Sequence, residues 1–369
     1  MNGVYIHIPF CKSKCPYCDF YSYRCSNEQR EQYVAAIIDE ISNGKRTAEF
    51  LKKPFIADTL YLGGGTPSVL TGEQLYNVID IAKRKYRLPL DAEITVECNP
   101  GSDIESIIPY LKKAGVNRIS LGMQSAVTAE RQQLGRSADK KRIRSVINLL
   151  KENGINNISL DVMLGIPSQT TDSLEETLQF AVECKVQHVS AYILKIEEGT
   201  FFHKNISRYD FPDENAICEL YYQCCDFLEN HGYSHYEISN FALPGFESRH
   251  NTKYWKLENY LGIGAAAHSY VDGKRFYFES SSEDFIKGCK AIYDGDGGDY
   301  EEYIMLRLRL KSGLSLTELS RLYGKNHTER IIKKAPLFKE QGLINFDGEN
   351  LSLTQKGFLL SNSIIAELI

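Results

Sequence analysis

The most constraining feature of this chain is the alternation of short β-prone runs with amphipathic helical stretches over its first 195 residues. Strands joined through crossover helices run parallel, so this alternation is typical of an α/β fold built on a parallel sheet. The predicted strands cover residues 4–8, 59–62, 93–97, 118–121, 157–162 and 188–193. The predicted helices cover residues 28–43, 72–85, 104–114, 140–152 and 173–184. A chain of 369 residues predicts one large α/β domain with one or two smaller additions.

Polar and unusual residues follow the predicted strands. In α/β barrels ligands bind at the carboxyl ends of the strands, so these residues are the first candidates for a site. In chain order they are Cys11, Cys15 and Cys18; Gly63 to Pro67; Glu97 to Pro100; Gln124 and Ser125; Asp161; and Tyr192 with Lys195. The sequence therefore predicts one ligand pocket along this rim.

Cys11, Cys15 and Cys18 form a Cys-x-x-x-Cys-x-x-Cys motif directly after the first predicted strand. A four-iron cluster held by three thiolates keeps one iron open to a small-molecule ligand, and this spacing indicates such a [4Fe–4S] cluster. Structural zinc is the alternative, but it needs four ligands, and the nearest further donor, His7, lies within the strand. Disulfides are less expected, because neither a cleavable leader nor a membrane-spanning stretch is visible. We therefore expect a reduced, cytoplasmic setting.

The charge of the chain argues against nucleic acid as a partner. The formal net charge is −5 and the sequence pI is about 6.0, whereas phosphate binding needs a clustered excess of Lys and Arg. The basic run at residues 139–144 is interpreted as the solvated face of a helix. The cysteines outside the motif are interpreted as small buried hydrophobic residues.

The residue types along the rim fit a zwitterionic nucleoside. Residues 63–65 are glycines without Cβ atoms, so the backbone can approach a ligand there; the alternative is a tight turn between strand and helix. Glu97 and Asp161 suit ribose hydroxyls or an ammonium group, and Arg136 can pair with a carboxylate. Taken singly, either acid would more often be a helix cap or a surface charge. The prediction therefore depends on both lying at the same edge of the sheet.

Several segments together resemble a known family. They read Tyr-Ile-His-Ile-Pro-Phe-Cys (5–11), Tyr-Cys-Asp-Phe (17–20), Gly-Gly-Gly-Thr-Pro (63–67), Glu-Cys-Asn-Pro (97–100), Gly-Met-Gln-Ser (122–125) and Asp-Val-Met-Leu-Gly-Ile-Pro (161–167). Their order and spacing resemble the radical S-adenosylmethionine superfamily, and within it the oxygen-independent coproporphyrinogen oxidase-like group. The resemblance covers nearly the whole chain. It implies a partial (β/α)6 TIM-like barrel followed by a C-terminal α+β extension.

The resemblance also implies roles for individual residues. Cys11, Cys15 and Cys18 would hold a [4Fe–4S] cluster whose open iron binds the amino and carboxylate groups of S-adenosylmethionine. The positions matching contacts to this first molecule are Tyr5, Gly64 and Glu97. The positions matching those around a second molecule in the oxidase are Gly65, Thr66, Gln124, Arg136, Asp161 and the backbone of Tyr17. Lys195 stands where the oxidase has a small residue, which argues against a filled second site. Because such a cluster must be reduced, an electron donor such as a flavodoxin or ferredoxin is an implied partner.

Two departures separate this chain from the oxidase pattern. The oxidase has a further cysteine two residues after the third, where this chain has Phe20, and a long extra segment before its cysteines. Both departures resemble the haem chaperone branch of the group, whose members bind haem and deliver it to respiratory haem proteins. The implied function is haem delivery to acceptor haem proteins, with peripheral membrane contact during delivery. The alternative is an oxygen-independent coproporphyrinogen III oxidase, which converts propionate side chains to vinyl groups.

The second half of the chain carries further motifs that resemble this branch. They occupy residues 237–242, 248–255 and 260–269. The string His-Asn-x-x-Tyr-Trp, which begins at His250, is its hallmark. An imidazole beside two aromatic rings could ligate haem iron, so His250 is a candidate haem ligand, and His268 is a second candidate. The alternative is that His250 is a hydrogen-bonded structural residue, with Tyr254 and Trp255 packing one part of the chain against another.

The sequence predicts three domains. They are a partial barrel at residues 1–200, a connecting region with the His-Asn-x-x-Tyr-Trp motif at 201–300, and a winged-helix-like segment at 301–369. The last segment combines short helices with a hairpin that turns at Asp347-Gly348. Because it has no basic stripe, we predict a lid or docking surface there rather than a DNA-binding module.

Overall fold

The computed structural model describes residues 1–369 and confirms an α/β fold with a mostly parallel sheet. Six parallel strands lie side by side in sequence order: β1 Asn2–Ile8, β2 Ala57–Gly64, β3 Glu93–Cys98, β4 Arg118–Gln124, β5 Asn157–Leu164 and β6 His188–Ile193. Every strand predicted in this part of the chain is found. Most of the observed strands extend further toward their carboxyl ends, where the candidate residues lie.

Helices connect these strands and cover the outer face of the sheet. They are α1 Asn27–Asn43, α2 Gly72–Lys85, α3 Ile104–Ala114, α4 Thr128–Gln133, α5 Lys140–Glu152 and α6 Thr171–Glu183. Local signals set their ends. Thr71 and Gln74 form a capping box at the start of α2, and Gly115 ends α3 in a left-handed conformation at φ 83°. The short helix α4 is an addition to the predicted set.

The two faces of the parallel sheet differ in chemistry. Side chains alternate along each strand, so Leu60 and Leu62 join the buried apolar core on one face while Tyr61 between them points to the other. The same alternation turns Arg118 and Ser120 of β4 toward the inner face. The outer face is therefore apolar under the helices, and the inner face is polar around a cavity.

The middle of the chain extends this sheet at both edges. Its elements are α7 Phe201–Lys204, α8 Glu214–Asn230, β7 Ser234–Glu237, β8 Asn240–Ala242, α9 Arg249–Trp255, β9 Tyr260–Ile263, β10 His268–Val271, β11 Lys274–Tyr277, α10 Ser282–Lys287 and β12 Ile292–Asp296. β9 pairs parallel to β1, and the full order is β12-β11-β10-β9-β1-β2-β3-β4-β5-β6-β8-β7. The sheet does not close, so it forms a partial barrel whose parallel part includes β9 as well as the six predicted strands.

The C-terminal part forms a small second sheet with helices. Its elements are α11 Tyr300–Arg307, β13 Leu314–Ser315, α12 Leu316–Tyr323, α13 Asn326–Glu340, β14 Ile344–Phe346, β15 Asn350–Leu353, α14 Gln355–Leu359 and α15 Ser361–Leu368. The three strands are antiparallel in the order β13-β15-β14. The segment joins the large sheet through backbone hydrogen bonds from Ile238 to Arg309 (2.9 Å) and from Lys311 to Tyr236 (3.0 Å). None of the helices combines the length and the apolar character that a membrane crossing requires.

Candidate cofactor-binding site

The three motif cysteines lie on one loop that leaves the end of β1 and returns beside it. At its base the N–H of Cys11 donates to the carbonyl of Tyr23, and the N–H of Tyr23 donates to the carbonyl of Pro9, both at 2.9 Å. Phe10 is buried beneath the loop against the rings of Tyr23 and Tyr33. The run Pro-Phe-Cys after the strand therefore fixes where the loop sits.

All three thiols are free, partly exposed and turned to one cavity. The Sγ of Cys11 lies 3.4 Å from the hydroxyl oxygen of Thr66. Burial raises the pKa of Cys18, so a thiolate there needs a cation or metal beside it. No three His, Cys, Asp or Glu side chains converge on one point as a single metal ion would require. In an iron–sulfur cluster each thiolate binds a different iron, so the arrangement fits a cluster better than zinc.

The glycine turn after β2 is pressed against the cysteine loop. Gly64 has φ 109°, and a Cβ atom on it would lie 2.4 Å from the imidazole of His7. The N–H of Gly65 donates to the carbonyl of Ile8 (2.8 Å), and that of Thr66 to the carbonyl of Phe10 (2.9 Å). The glycines thus make room for the end of β1. Because these amides are bonded within the protein, any ligand contact has to come from carbonyl oxygens or the Thr66 hydroxyl.

Glu97 is the penultimate residue of β3 and lies beside this turn. Its Oε1 accepts a 2.7 Å hydrogen bond from the Tyr61 hydroxyl, and its Oε2 accepts one from the N–H of Gly64 at 3.1 Å. Burial raises the pKa of Glu97 to about 7, and the charge of Asp161 adds to this effect. An ammonium group bound beside Glu97 would stabilise the carboxylate and lower its pKa again.

Asp161 lies on the inner face of β5, next to β4. Its Oδ1 accepts a 2.9 Å hydrogen bond from the hydroxyl of Ser120. Burial raises the pKa of Asp161 to about 6. Two neighbouring acids with raised pKa values favour a ligand that brings positive charge or hydroxyl donors.

Arg136 and Gln124 form the wall beside Asp161. The guanidinium of Arg136 donates to the Tyr17 hydroxyl at 2.6 Å, and its Nε is buried without a partner. Gln124 adopts φ 71° at a bulge in β4, an uncommon conformation for a residue with a side chain. A Cβ on Gly122 would lie 3.4 Å from the Gln124 amide and 3.6 Å from the Arg136 guanidinium. Both distances are ordinary van der Waals contacts, so Gly122 lies directly beside both side chains at the cavity wall.

Tyr5 lies behind the cavity wall. Its hydroxyl is 2.9 Å from Nδ1 of His7, and Nε2 of His7 is 3.2 Å from the carbonyl oxygen of Tyr21. Because a carbonyl only accepts, Nε2 carries the proton and Nδ1 accepts from Tyr5. Burial lowers the pKa of His7 to about 4, so the imidazole is neutral. Tyr5 thus holds the imidazole that packs against Gly64.

One cavity of about 440 Å³ collects most of the predicted site residues. Those that line it are Cys11, Cys15, Tyr17, Cys18, Gly64, Gly65, Thr66, Glu97, Gln124, Arg136 and Asp161. Tyr5 and His250 do not line it. The prediction that the strand ends share one pocket is therefore supported by their positions, while the ligand contacts of each residue stay predictions.

His250 is buried at the opposite end of the barrel from the cysteines. Its Nδ1 is 2.8 Å from the Thr59 hydroxyl oxygen, its Nε2 is 2.8 Å from the Tyr254 hydroxyl oxygen, and its ring stacks on Tyr61 at 5.2 Å. Burial lowers the pKa of His250 to about 3. To ligate haem iron, His250 would have to leave these partners, so the geometry favours the structural role. His268 is exposed at the start of β10, with its ring stacked on that of Tyr277 at 5.2 Å.

Several cavity residues were not predicted as site residues. They include Tyr61, Arg118, Ser120, Ser190 and Asn251. The first four occupy inward positions of the strands, and polar residues at every second position of a buried strand were the available signal. Asn251 follows His250 in the motif. Only the rotational orientation of α9 in the folded protein shows that Asn251, rather than His250, reaches the cavity.

Models of protein families match two parts of the chain. The Radical SAM superfamily model matches residues 5–181, and the model of the HemN C-terminal domain matches residues 299–360. The solved structure of coproporphyrinogen III oxidase (HemN) from Escherichia coli, described as a radical SAM enzyme, superposes with a TM-score of 0.83. The match covers 100% of this chain and 89% of that chain at 22% sequence identity, so it shows the fold.

Curated relatives are similar over the full length. The haem chaperone HemW of Lactococcus lactis subsp. lactis is 33% identical over 100% of this chain and 97% of its own. The proteins of the same name from Bacillus subtilis (33% identical, covering 100% and 99%) and Escherichia coli (32% identical, covering 98% and 97%) are similar to the same degree. The fold and the three-cysteine loop define a radical SAM protein. Within that class, the chain belongs to the haem chaperone HemW family.

Proposed function

We propose that this protein is a haem chaperone that carries a [4Fe–4S] cluster and S-adenosylmethionine and delivers haem to acceptor haem proteins. The observation that carries the proposal is the single cavity in which three free thiols face buried acids and arginines at the strand ends. Relatives named haem chaperone HemW are similar to this chain over nearly its whole length, and they support haem delivery as its function.

Cys11, Cys15 and Cys18 are the proposed cluster ligands. They fit this role because their thiols share one short loop, are free of disulfides and do not converge as a mononuclear site would require. Together, the bound cluster and cofactor supply one-electron cleavage of the cofactor's carbon–sulfur bond. The loop itself is positioned by the Cys11–Tyr23 backbone bond and the buried Phe10.

The acids and Arg136 are the proposed partners of the cofactor. Glu97 would accept from the ammonium group, and its raised pKa fits a site prepared for a cation. Asp161 would accept from ribose hydroxyls, and Arg136 would bind a carboxylate through its free Nε edge. At the rim the ammonium of Lys195 lies 2.6 Å from the Glu197 carboxylate, and its side chain is 80% exposed. Lys195 thus lies at the rim of the cavity, turned outward and paired with Glu197.

The remaining proposed contacts around these molecules follow the family pattern. They are Tyr5 and Gly64 for the first molecule, and Gly65, Thr66, Gln124 and the Tyr17 backbone for the second. Of these residues, only Tyr5 is separated from the cavity, and it would act by holding His7 against the glycine turn.

The proposed partners follow from haem delivery. They are haem itself, acceptor haem proteins of the respiratory chain, and an electron donor such as a flavodoxin or ferredoxin. Peripheral contact with a membrane during delivery belongs to the same proposal. Nucleic acid is not among the proposed partners, because the net charge of −5 provides no basic surface for it.

Anaerobic reconstitution with iron and sulfide, followed by an offer of haem and of coproporphyrinogen III, tests the proposal. We expect about one haem per chain, followed by absorbance, and no conversion of the porphyrinogen. Transfer of the bound haem to an apo-form acceptor would complete the evidence. Conversion that depends on S-adenosylmethionine and an electron donor would show the oxidase activity instead, and absence of haem uptake would overturn the proposal.

A further inference from the structure

Arg118 is a buried cation without a bound partner. It begins β4, is only 1% exposed and lines the cavity from below. Its Nε and Nη1 are buried and have no hydrogen-bond partner. An unpaired buried charge is costly in the interior of a protein, so a guanidinium kept in this state is a candidate for pairing with a ligand.

The acids around Arg118 are occupied by other donors. Glu93 accepts from the backbone N–H groups of Arg249 and His250, both at 2.9 Å. Asp161 accepts from the hydroxyl of Ser120, two residues along the strand from Arg118. These acids act on the charge of Arg118 through space but do not bind its N–H groups. The guanidinium donors therefore remain available to a group entering the cavity.

Asn251 brings a second set of free donors to the same end of the cavity. Its backbone N–H bonds to the Ser248 hydroxyl at 3.3 Å, whereas its side-chain amide makes no hydrogen bond and lines the cavity. The helix that carries it is held to the sheet, because the imidazole of His250 bonds to the hydroxyl of Thr59 in β2 and its backbone N–H donates to Glu93 in β3. This gives the His-Asn-x-x-Tyr-Trp motif two tasks. His250 fixes the helix, and Asn251 presents its amide to the cavity.

We propose that Arg118 and Asn251 form a carboxylate-binding floor for a ligand in this cavity. A guanidinium offers parallel N–H donors that match a carboxylate, and a carboxamide can add a further donor beside them. This inference rests on the proposed function for the identity of the ligand. The carboxylate that fits that function is a propionate of the tetrapyrrole, because the methionyl carboxylate of S-adenosylmethionine is the proposed ligand of the cluster iron at the cysteine rim.

The floor lies well below the cysteine rim. Arg118 pairs in register with Thr95 and Asn157, whereas Gln124 at the rim is six residues further along β4. At about 3.3 Å per residue, their Cα atoms are roughly 20 Å apart along the strand. The floor therefore lies at the end of the cavity away from the cysteines, near Glu97 and Asp161, on whose charges Arg118 still acts.

The floor is tested by binding ligands with a free carboxylate, and analogues in which that carboxylate is esterified or removed, to the reconstituted full-length chain. The variants are Asn251→Asp, which replaces the donor by a charge that repels a carboxylate, Arg118→Lys and Arg118→Met. Asn326→Asp, at the exposed start of α13, is the matched control for net charge. The probes are haem and its dimethyl ester, and S-adenosylmethionine and its decarboxylated form. Circular dichroism of each variant checks that it folds.

The wild type should bind haem about ten- to a hundredfold more tightly than its dimethyl ester. Asn251→Asp and Arg118→Met should remove this preference, Arg118→Lys should keep part of it, and Asn326→Asp should keep it fully. The variants should leave the preference for S-adenosylmethionine over its decarboxylated form unchanged, because the cluster iron is the proposed partner of that carboxylate. Loss of the cofactor preference instead of the haem preference would contradict the assignment of the floor to a propionate. If a variant weakens the binding of haem and of its dimethyl ester equally, or changes the binding of neither, the proposed floor is wrong. Failure of the wild type to bind haem at all would count against the proposed function, whereas haem binding without any preference over the dimethyl ester would count against the floor alone.

Discussion

The hydroxyl of Tyr61 donates a 2.7 Å hydrogen bond to Glu97, whose second carboxylate oxygen accepts the N–H of Gly64 at 3.1 Å. Both bonds favour the charged carboxylate. Burial and the nearby charge of Asp161 outweigh them and raise the pKa of Glu97 to about 7. Glu97 therefore changes its protonation state near neutral pH, and both cofactor binding and stability should respond there.

Binding of S-adenosylmethionine should weaken as the pH falls below 7. A protonated Glu97 no longer offers a full negative charge to the ammonium group, so we expect a loss of roughly tenfold or more. Glu97→Gln should bind weakly at every pH and lose this dependence. Calorimetric titration between about pH 5.5 and pH 8.5 measures both.

The stability of the ligand-free protein should increase, whereas cofactor binding weakens, as the pH falls below 7. A carboxyl group whose folded pKa is raised stabilises the fold below its unfolded pKa, and this contribution is lost as the pH rises through about 7. Since Glu97 borders the cavity, we expect a change of about 1–2 kcal/mol, which Glu97→Gln should remove. Tyr61→Phe is the matched control, because loss of its hydroxyl should move the midpoint to higher pH. An unchanged midpoint in Tyr61→Phe would contradict this account.

Cluster assembly should depend on the motif cysteines and not on the next one along the chain. Cys18→Ser should lose most of the iron and acid-labile sulfide after anaerobic reconstitution, because an iron would lack its thiolate. Cys25→Ser is the control, since Cys25 is a partly buried free cysteine outside the cavity. Retained iron in Cys25→Ser with loss in Cys18→Ser fits three-cysteine ligation. Loss in both would indicate a fourth cysteine ligand.

Gly64→Ala should lower both stability and cluster assembly by more than the positive φ of Gly64 alone would explain. A Cβ at Gly64 would lie 2.4 Å from the imidazole of His7, which is held by Tyr5 and by the Tyr21 carbonyl. We expect a loss of about 2–4 kcal/mol in the free energy of unfolding, together with poor cluster assembly. Gly44→Ala is the control, because Gly44 also has a positive φ of 62° but has nothing within 4 Å. That variant should cost about 1–2 kcal/mol and leave the cluster intact. Equal losses in chemical denaturation would show that the contact with His7 is unimportant.

The strands of the parallel sheet could be predicted from sequence because each is a short β-branched run between clear helical repeats. Helices α2, α3 and α5 were predicted with their observed ends, since Thr71, Asp103 and Asp139 cap them with side-chain hydrogen bonds. The strand-end residues could be grouped for the same reason, because the carboxyl ends of parallel strands share one edge.

The parts that could not be predicted depend on contacts between residues far apart in sequence. The seventh parallel strand, β9, pairs with β1 across more than 250 residues, and no local pattern marks such a partner. The role of His250 depends on Thr59 of β2. The access of Asn251 to the cavity depends on how α9 is rotated beneath the sheet. A motif shows which residues occur together, but it does not show which of them faces the ligand.

His250→Leu tests whether His250 holds the fold or binds haem. Removing the imidazole leaves the buried hydroxyls of Thr59 and Tyr254 without their partner, so we expect a loss of about 2–4 kcal/mol in the free energy of unfolding, measured by denaturant titration. His268→Leu, at an exposed position, should change stability by less than about 0.5 kcal/mol. Haem absorbance of both variants completes the test. If His250→Leu loses haem while its stability is unchanged, His250 is a haem ligand and α9 has to open to expose it. If it loses stability and the remaining folded protein binds haem with an unchanged spectrum, its imidazole acts within the fold.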